Sequence, residues 1–260
     1  MNRTESPQKE LSVEHLRVKV YQNRNALGAA AGLVVALKLK ELLQQQQFVT
    51  IIFAAAPSQN EFLAILAKEP GIDWQRVIAL HMDEYIGLPD DAPQRFQKYL
   101  EDHIMDLVHP GEVHFIKGNH HPITAECQRY ERLIIDHPVD IVCCGIGENG
   151  HLAFNDPPVA DFLDPEIIKV VRLEEACRHQ QVNDGCFPSI DKVPTHALSL
   201  TIPTLLSARY LYCMVSGPLK AAAVRDSITG PVTTSCPASV LRRHFRAILY
   251  LDAAAAAALL

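Results

Sequence analysis

Apolar residues along this chain follow two spacings. Short runs rich in β-branched residues, at 16–21, 48–55, 76–82, 139–144, 167–173, 196–202, 209–216 and 245–251, read as strands. Elsewhere apolar positions recur every three or four residues, at 23–47, 58–68, 93–107, 125–135 and 218–228. In the first of these, Ala30, Leu33, Val34 and Leu37 share one helical face. Strands separated by helices predict a three-layer, Rossmann-like α/β fold. Its open, mostly parallel sheet carries helices on both faces. Ligands of such sheets sit beyond the carboxyl ends of the strands. That rule brings Ser58, Asp83, His151 and Lys220 to one side of the sheet. Residues 1–14 are polar and expected to fray, which leaves 15–260 as one domain without repeat or linker. The glutamine run at 44–47 is expected to end a helix, and the alanines at 253–258 favour one.

Candidate chemistry concentrates where two of these strands end. Residues 145–157, Gly-Ile-Gly-Glu-Asn-Gly-His-Leu-Ala-Phe-Asn-Asp-Pro, follow the run 139–144 directly. Glycines such as Gly147 and Gly150 let backbone amides approach a ligand where a side chain would clash. His151 and Asp156 on this loop have the chemistry of a proton-transfer pair. The glycine spacing also suits a dinucleotide fingerprint, but that turn should run straight into a helix, and the tail here does not. The strand at 76–82 leads into His81-Met82-Asp83-Glu84-Tyr85-Ile86-Gly87-Leu88-Pro89, with two adjacent carboxylates. Taken alone, such an acidic pair is ordinarily a loop cap, a lone histidine is ordinarily structural, and Lys220 reads as a surface lysine. Lys220 nevertheless falls in the first turn of a helix opened by Pro218, where the dipole disfavours a cation unless an anion binds there too.

Together the two loops resemble the glucosamine-6-phosphate deaminase (isomerase) family. Its members carry a MDEY-x-GLP loop and a G-x-G-x-[DN]-GH-x-AFNEP loop. The likeness continues through Val193-Pro194-Thr195-His196-Ala197-Leu198-Ser199-Leu200, Gly217-Pro218-Leu219-Lys220-Ala221, Gly230-Pro231-Val232 and Cys236-Pro237-Ala238-Ser239, covering roughly residues 15–255. The resemblance implies aldose–ketose isomerisation and deamination of an amino-sugar phosphate, in first place glucosamine 6-phosphate, without metal or organic cofactor. It makes Asp83 the base that moves a proton between C2 and C1, with Glu84 supporting it. It makes His151, tuned by Asp156, the group that opens the sugar ring, with Asn149 orienting it. Asp156 stands where the family usually has glutamate, and the shorter arm is expected to weaken the histidine–acid contact or shift the loop. Gly147 and Gly150 shape the substrate loop, and Ser58 and Lys220 hold phosphate.

The phosphate turn departs from the family. A glycine-rich S/T-G-G-[ST]-P turn is replaced by Ala54-Ala55-Ala56-Pro57-Ser58, and Ser58-Gln59-Asn60-Glu61 reads as a capping box in which Glu61 returns to the Ser58 amide. A family arginine falls near Asp184, and Arg178 is the expected substitute. These departures leave galactosamine-6-phosphate isomerase, 6-phosphogluconolactonase and a non-catalytic sugar-phosphate sensor as alternative readings.

Composition narrows the partners. Apolar residues make up 48% and charged residues 21%, ordinary for a globular enzyme. A net charge of −6 without a basic run argues against nucleic acid. The polar start and the lysine closing the longest apolar stretch predict no signal or membrane span, hence a cytoplasmic protein. Seven unpaired-looking cysteines fit a reducing compartment, and no cysteine or histidine spacing near His151 suggests a metal site. Family members are often oligomeric, which leaves a homo-oligomer open. The loop at 159–166 lacks the basic residues of an effector site.

Overall fold

The computed structural model describes residues 6–259. Its strands are β1 (Lys9–Val13), β2 (Leu16–Tyr21), β3 (Val49–Phe53), β4 (Val77–His81), β5 (Asp83–Tyr85), β6 (Glu112–His114), β7 (Ile141–Cys144), β8 (Ile168–Arg172), β9 (His196–Leu200), β10 (Tyr210–Val215) and β11 (Ala247–Asp252). The main sheet runs β1-β2-β11-β10-β7-β3-β4-β6, and only its β1–β2 pair is antiparallel. The helices are α1 (Arg24–Gln45), α2 (Asn60–Leu66), α3 (Phe96–Leu100), α4 (Asp106–Val108), α5 (Ile123–Asp136), α6 (Glu175–Asn183), α7 (Ile202–Leu206) and α8 (Ala221–Thr229). This is the Rossmann-like α/β architecture that the sequence pattern predicts.

Successive strand residues divide between two cores, as a pleated sheet covered on both faces requires. On β3, Ile51 and Phe53 join α1 and α2 on one side, whereas Ile52 faces the other with Val142, Tyr130 and Ile202. Each buried Leu or Ile contributes about 1.5–3 kcal/mol relative to exposure. Cys143 and Cys144 follow the same alternation, as small apolar filler. On α1, Gly28 lets α2 approach: a β-carbon there would meet the Glu61 β-carbon at 2.4 Å.

Several expectations are revised. The stretches 167–173 and 196–202 do form strands, but they join β5 in a separate antiparallel sheet of order β5-β9-β8. The motif residues Asp83–Tyr85 build this sheet's edge, so the chain changes sheets between His81 and Asp83. Residues 9–13, expected to fray, pair with β2 along their whole length. Residues 1–5 lie outside the described residues. The alanine run closes in turns rather than a helix, started by the Ala255 amide donating to the Asp252 Oδ1 at 2.8 Å. Lys220 ends a single 3₁₀ turn, Pro218–Lys220, and α8 begins after it.

Candidate active site

A cavity opens where β3, β4, β7 and β10 end. Ser58, Asp83, Gly147, His151 and Lys220 all line it. The strand-end rule thus assembles residues from four separate loops.

The β7 loop is folded around His151. The Gly147 amide donates to the His151 carbonyl and the Gly150 amide to the Gly147 carbonyl, each at 3.0 Å. Gly150 has φ +84° and backs onto Cys236 rather than lining the cavity. Ala153, on the cavity wall, holds φ 50°, a left-handed strain of the kind that clusters at functional sites. The His151 Nδ1 lies 2.7 Å from the Asn149 Oδ1 and 3.0 Å from the Asp156 Oδ1. The Asn149 Nδ2 donates to that same Asp156 oxygen at 2.8 Å. Two acceptors at Nδ1 place the ring proton there, which leaves the Nε2 lone pair of the neutral imidazole for a ligand. The shorter acid therefore keeps its contact with histidine, and Asn149 closes the triangle. Burial raises the Asp156 carboxyl, but hydrogen bonds from His151 and Asn149 and from the Glu174 amide outweigh it and hold it low. Asp156 stays ionised and fixes the imidazole.

Asp83 is 7% exposed, and no hydrogen bond to a described residue engages its carboxylate. Burial, and then the neighbouring Glu84, push its carboxyl well above the ordinary range. Glu84 points away from the cavity: its carboxylate accepts the amides of Tyr85, Phe96 and Gln97 at 2.9, 3.2 and 2.9 Å. It anchors the β5 turn to α3 and so positions Asp83, which revises its expected place among the substrate contacts. Burial raises the Glu84 carboxyl too, against those three amides and Arg95. Of the two raised carboxyls, only Asp83 faces the cavity.

At another part of the lining Lys220 is brought in by Gly217, whose φ of +95° turns the chain after β10 while its amide donates to Asp252 at 3.1 Å. The Lys220 ammonium is buried with no hydrogen-bond partner among the described residues. Burial lowers its pKa, although Asp184 and Glu148 oppose the shift. An orphan ammonium in a cavity fits an anionic ligand. The Ser58 turn is held without glycines, because the Gln59 Nε2 donates to the Ser58 Oγ at 3.0 Å and to the Cys144 carbonyl at 3.3 Å. The expected capping box does not form: neither Pro57–Gln59 nor α2 has a side-chain cap, and Glu61 instead pairs with Arg24.

Arg178 is not in the cavity. Its Nη2 donates to the carbonyls of Ile190 and Val193 at 2.6 and 2.9 Å, tying α6 to the turn before β9. The same helix instead supplies Gln180 and Gln181, with Asp184 just beyond it, and Arg24 and Ser216 complete the polar lining. The Gln180 Oε1 accepts the Glu148 amide at 2.8 Å, and its Nε2 donates to Asp184 at 3.3 Å. None of these five was selected from sequence. Only the unmatched family arginine near Asp184 points at this wall.

His151, Asp156 and Cys177 bring three potential metal-ligand atoms within 4.8 Å of one another. Burial, and then Asp156, push the Cys177 thiol well up, so it carries a proton beside the carboxylate. Asn149 and His151 contact the Asp156 carboxylate, and Cys177 lies beside it.

A family model described as glucosamine-6-phosphate isomerases/6-phosphogluconolactonase matches residues 22–249. A glucosamine-6-phosphate deaminase of Halothermothrix orenii is 32% identical over 248 residues, spanning 94% of this chain and 100% of that one. One from Exiguobacterium sibiricum is 36% identical over 229 residues, 88% of each. The solved structure of a monomeric glucosamine-6-phosphate deaminase superposes with a TM-score of 0.83 at 31% identity, covering 93% of this chain and 99% of that one. A 6-phosphogluconolactonase of Thermotoga maritima shares the fold at a TM-score of 0.73 and 18% identity, covering 90% and 98%. No helix among the described residues is long and apolar enough to cross a membrane.

Proposed function

The chain belongs to the glucosamine-6-phosphate isomerase/6-phosphogluconolactonase family, and within it we propose a deaminase that converts glucosamine 6-phosphate and water to fructose 6-phosphate and ammonia. The observation that carries this reading is the pairing, in one cavity, of an unbonded buried Asp83 with a His151 held through Nδ1 by Asn149 and Asp156.

The chemistry runs on protons. His151 takes the C1 hydroxyl proton at Nε2 and returns it to the ring oxygen as the C1–ring oxygen bond breaks, giving the open aldehyde. Asp83 then removes the proton from C2; the electrons form the C1–C2 double bond, and the carbonyl oxygen takes a proton from the substrate's own ammonium, giving an enolamine. Asp83 returns its proton to C1, which leaves an iminium at C2. Water adds there and ammonia departs, giving the 2-ketone. Each step is proton transfer or water addition, so side chains suffice, and a general base of this kind is worth ~10²–10⁴-fold. Lys220 and Ser58 hold the phosphate. Seven free thiols suit the cytoplasm as the setting.

The assay is ammonia release from glucosamine 6-phosphate, with galactosamine 6-phosphate in parallel and acid production from 6-phosphogluconolactone as the third arm. Ammonia from the glucosamine compound in preference supports the proposal. Turnover of the lactone alone, or of no substrate, overturns it.

A further inference from the structure

Arg24 opens α1, just after β2 ends at the cavity's side of the sheet, and its side chain lines the cavity beside the Ser58 turn. Three contacts hold the guanidinium. Its Nη2 donates to the Pro57 carbonyl at 2.7 Å and to the Glu61 Oε2 at 2.9 Å, while its Nε meets the Glu61 Oε1 at 2.7 Å. Those contacts use the donors of Nε and Nη2. Among the described residues no group engages Nη1, which leaves two donors on the side not taken by Glu61.

The Pro57 contact matters most, because it fixes the guanidinium against the turn that carries Ser58. In this turn alanines and a proline replace glycines, and Pro57 has no amide to offer. The alanine β-carbons there hinder the close approach to backbone amides that glycines allow, so side chains must supply donors. Lys220, 8% exposed and with an unpartnered ammonium, is one cation of the same lining. A phosphate dianion has three acceptor oxygens, more than one ammonium and one hydroxyl satisfy.

We propose that Arg24 is the second cationic contact for the substrate phosphate, acting through Nη1 while Glu61 braces its other edge and masks part of its charge. This rests on the reading of the cavity as a sugar-phosphate site. Glu61 is a brace that phosphate does not have to displace, but its carboxylate repels the dianion. Neutralising it in place removes that repulsion and, where Arg24 is present, also unmasks its charge.

The test combines kinetics with direct binding. Arg24→Ala should raise KM for glucosamine 6-phosphate roughly ten- to a hundred-fold with kcat little changed, and should not alter kcat/KM for unphosphorylated glucosamine. Arg24→Lys should recover only part of the loss, because an ammonium cannot hold both the brace and the phosphate. Glu61→Gln should lower KM a few-fold in the parent chain, and Arg24→Ala should still raise KM in the Glu61→Gln background. The same order should appear in calorimetric titration with inorganic phosphate and with fructose 6-phosphate, which needs no turnover. If the parent deaminates no hexosamine phosphate yet binds these anions through Arg24, the reaction is wrong and this contact stands. An unchanged phosphate affinity in Arg24→Ala, in the parent or in the Glu61→Gln background, or an equal loss on unphosphorylated sugar overturns it. So does a parent protein that binds neither phosphate compound.

Discussion

The His151 imidazole occupies the space that a side chain on Gly147 would fill. A β-carbon at 147 would lie 2.1 Å from the His151 Cε1 and 2.3 Å from each ring nitrogen. Gly147→Ala must therefore push the ring away from Asn149 and Asp156 or bend the loop. The expected result is a loss of about two decades or more in kcat/KM with a folded protein, since misplacement of about 1 Å costs that much. The measurement is steady-state kinetics beside a circular dichroism melt. Near-parental turnover in Gly147→Ala would mean that His151 is free to move and has no fixed role.

Asp83→Asn should separate activity from stability. Turnover should fall by ~10²–10⁴-fold while phosphate binding persists. Solvent deuterium should no longer enter C1 of the product, and persistence of that exchange would remove Asp83 from the mechanism. Stability should move the other way. A carboxyl raised in the fold contributes its stability fully at pH below the unfolded value, and loses it as pH rises through the folded one. At neutral pH and above, Asn at 83 should therefore melt higher than Asp, and the gap should close as pH falls towards 4. A constant gap across that range would show that Asp83 is not strained by burial.

Much of this site was legible before any coordinates, for a physical reason. The strands feeding it, β3, β4, β7 and β10, are buried on both faces, so they read as unbroken apolar runs, and the loops after them carry glycine next to ionisable residues. Where reading failed, tertiary partners overrode local signals. Ser58–Glu61 has the letters of a capping box, but Arg24, 37 residues before Glu61, takes the carboxylate. The α6 helix, Glu-Ala-Cys-Arg-His-Gln-Gln-Val-Asn, buries mainly Cys177, Gln180 and Gln181, so it shows no apolar stripe, and its cavity residues went unseen. β8 and β9 looked like any other strands, because the three-residue β5 that pairs with β9 is itself part of a motif.

His151→Gln should damage the ring-opening step selectively. Its Nδ1 is held by Asn149 and Asp156, which fixes the ring for the proton transfer proposed for it. Gln keeps a hydrogen-bonding arm but cannot carry the proton. An open-chain substrate analogue should lose much less than the cyclic sugar phosphate. Equal losses on both would assign His151 to holding the loop.

Lys220 sets the last expectation, because its burial works against its charge. Its lowered pKa means that the ammonium is lost at a pH below that of an ordinary lysine, and affinity for phosphate should fall as pH rises through that folded value. On the acid side affinity should fall as the phosphate itself takes up a proton, near pH 6. KM for glucosamine 6-phosphate should therefore pass through a minimum between these limits. Lys220→Ala should raise KM by roughly one to two decades, the worth of a charge-assisted hydrogen bond of about 1.5–3 kcal/mol, with a smaller effect on kcat. It should also abolish the alkaline rise in KM while leaving the acid one. Stability again gives the opposite sign. A buried ammonium with a depressed pKa costs the fold most at pH below that value, so Lys220→Met should melt higher than the parent in the absence of ligand and gain less from added phosphate. If the alkaline limb survives in Lys220→Met, another group titrates there and Lys220 is not the anion's anchor.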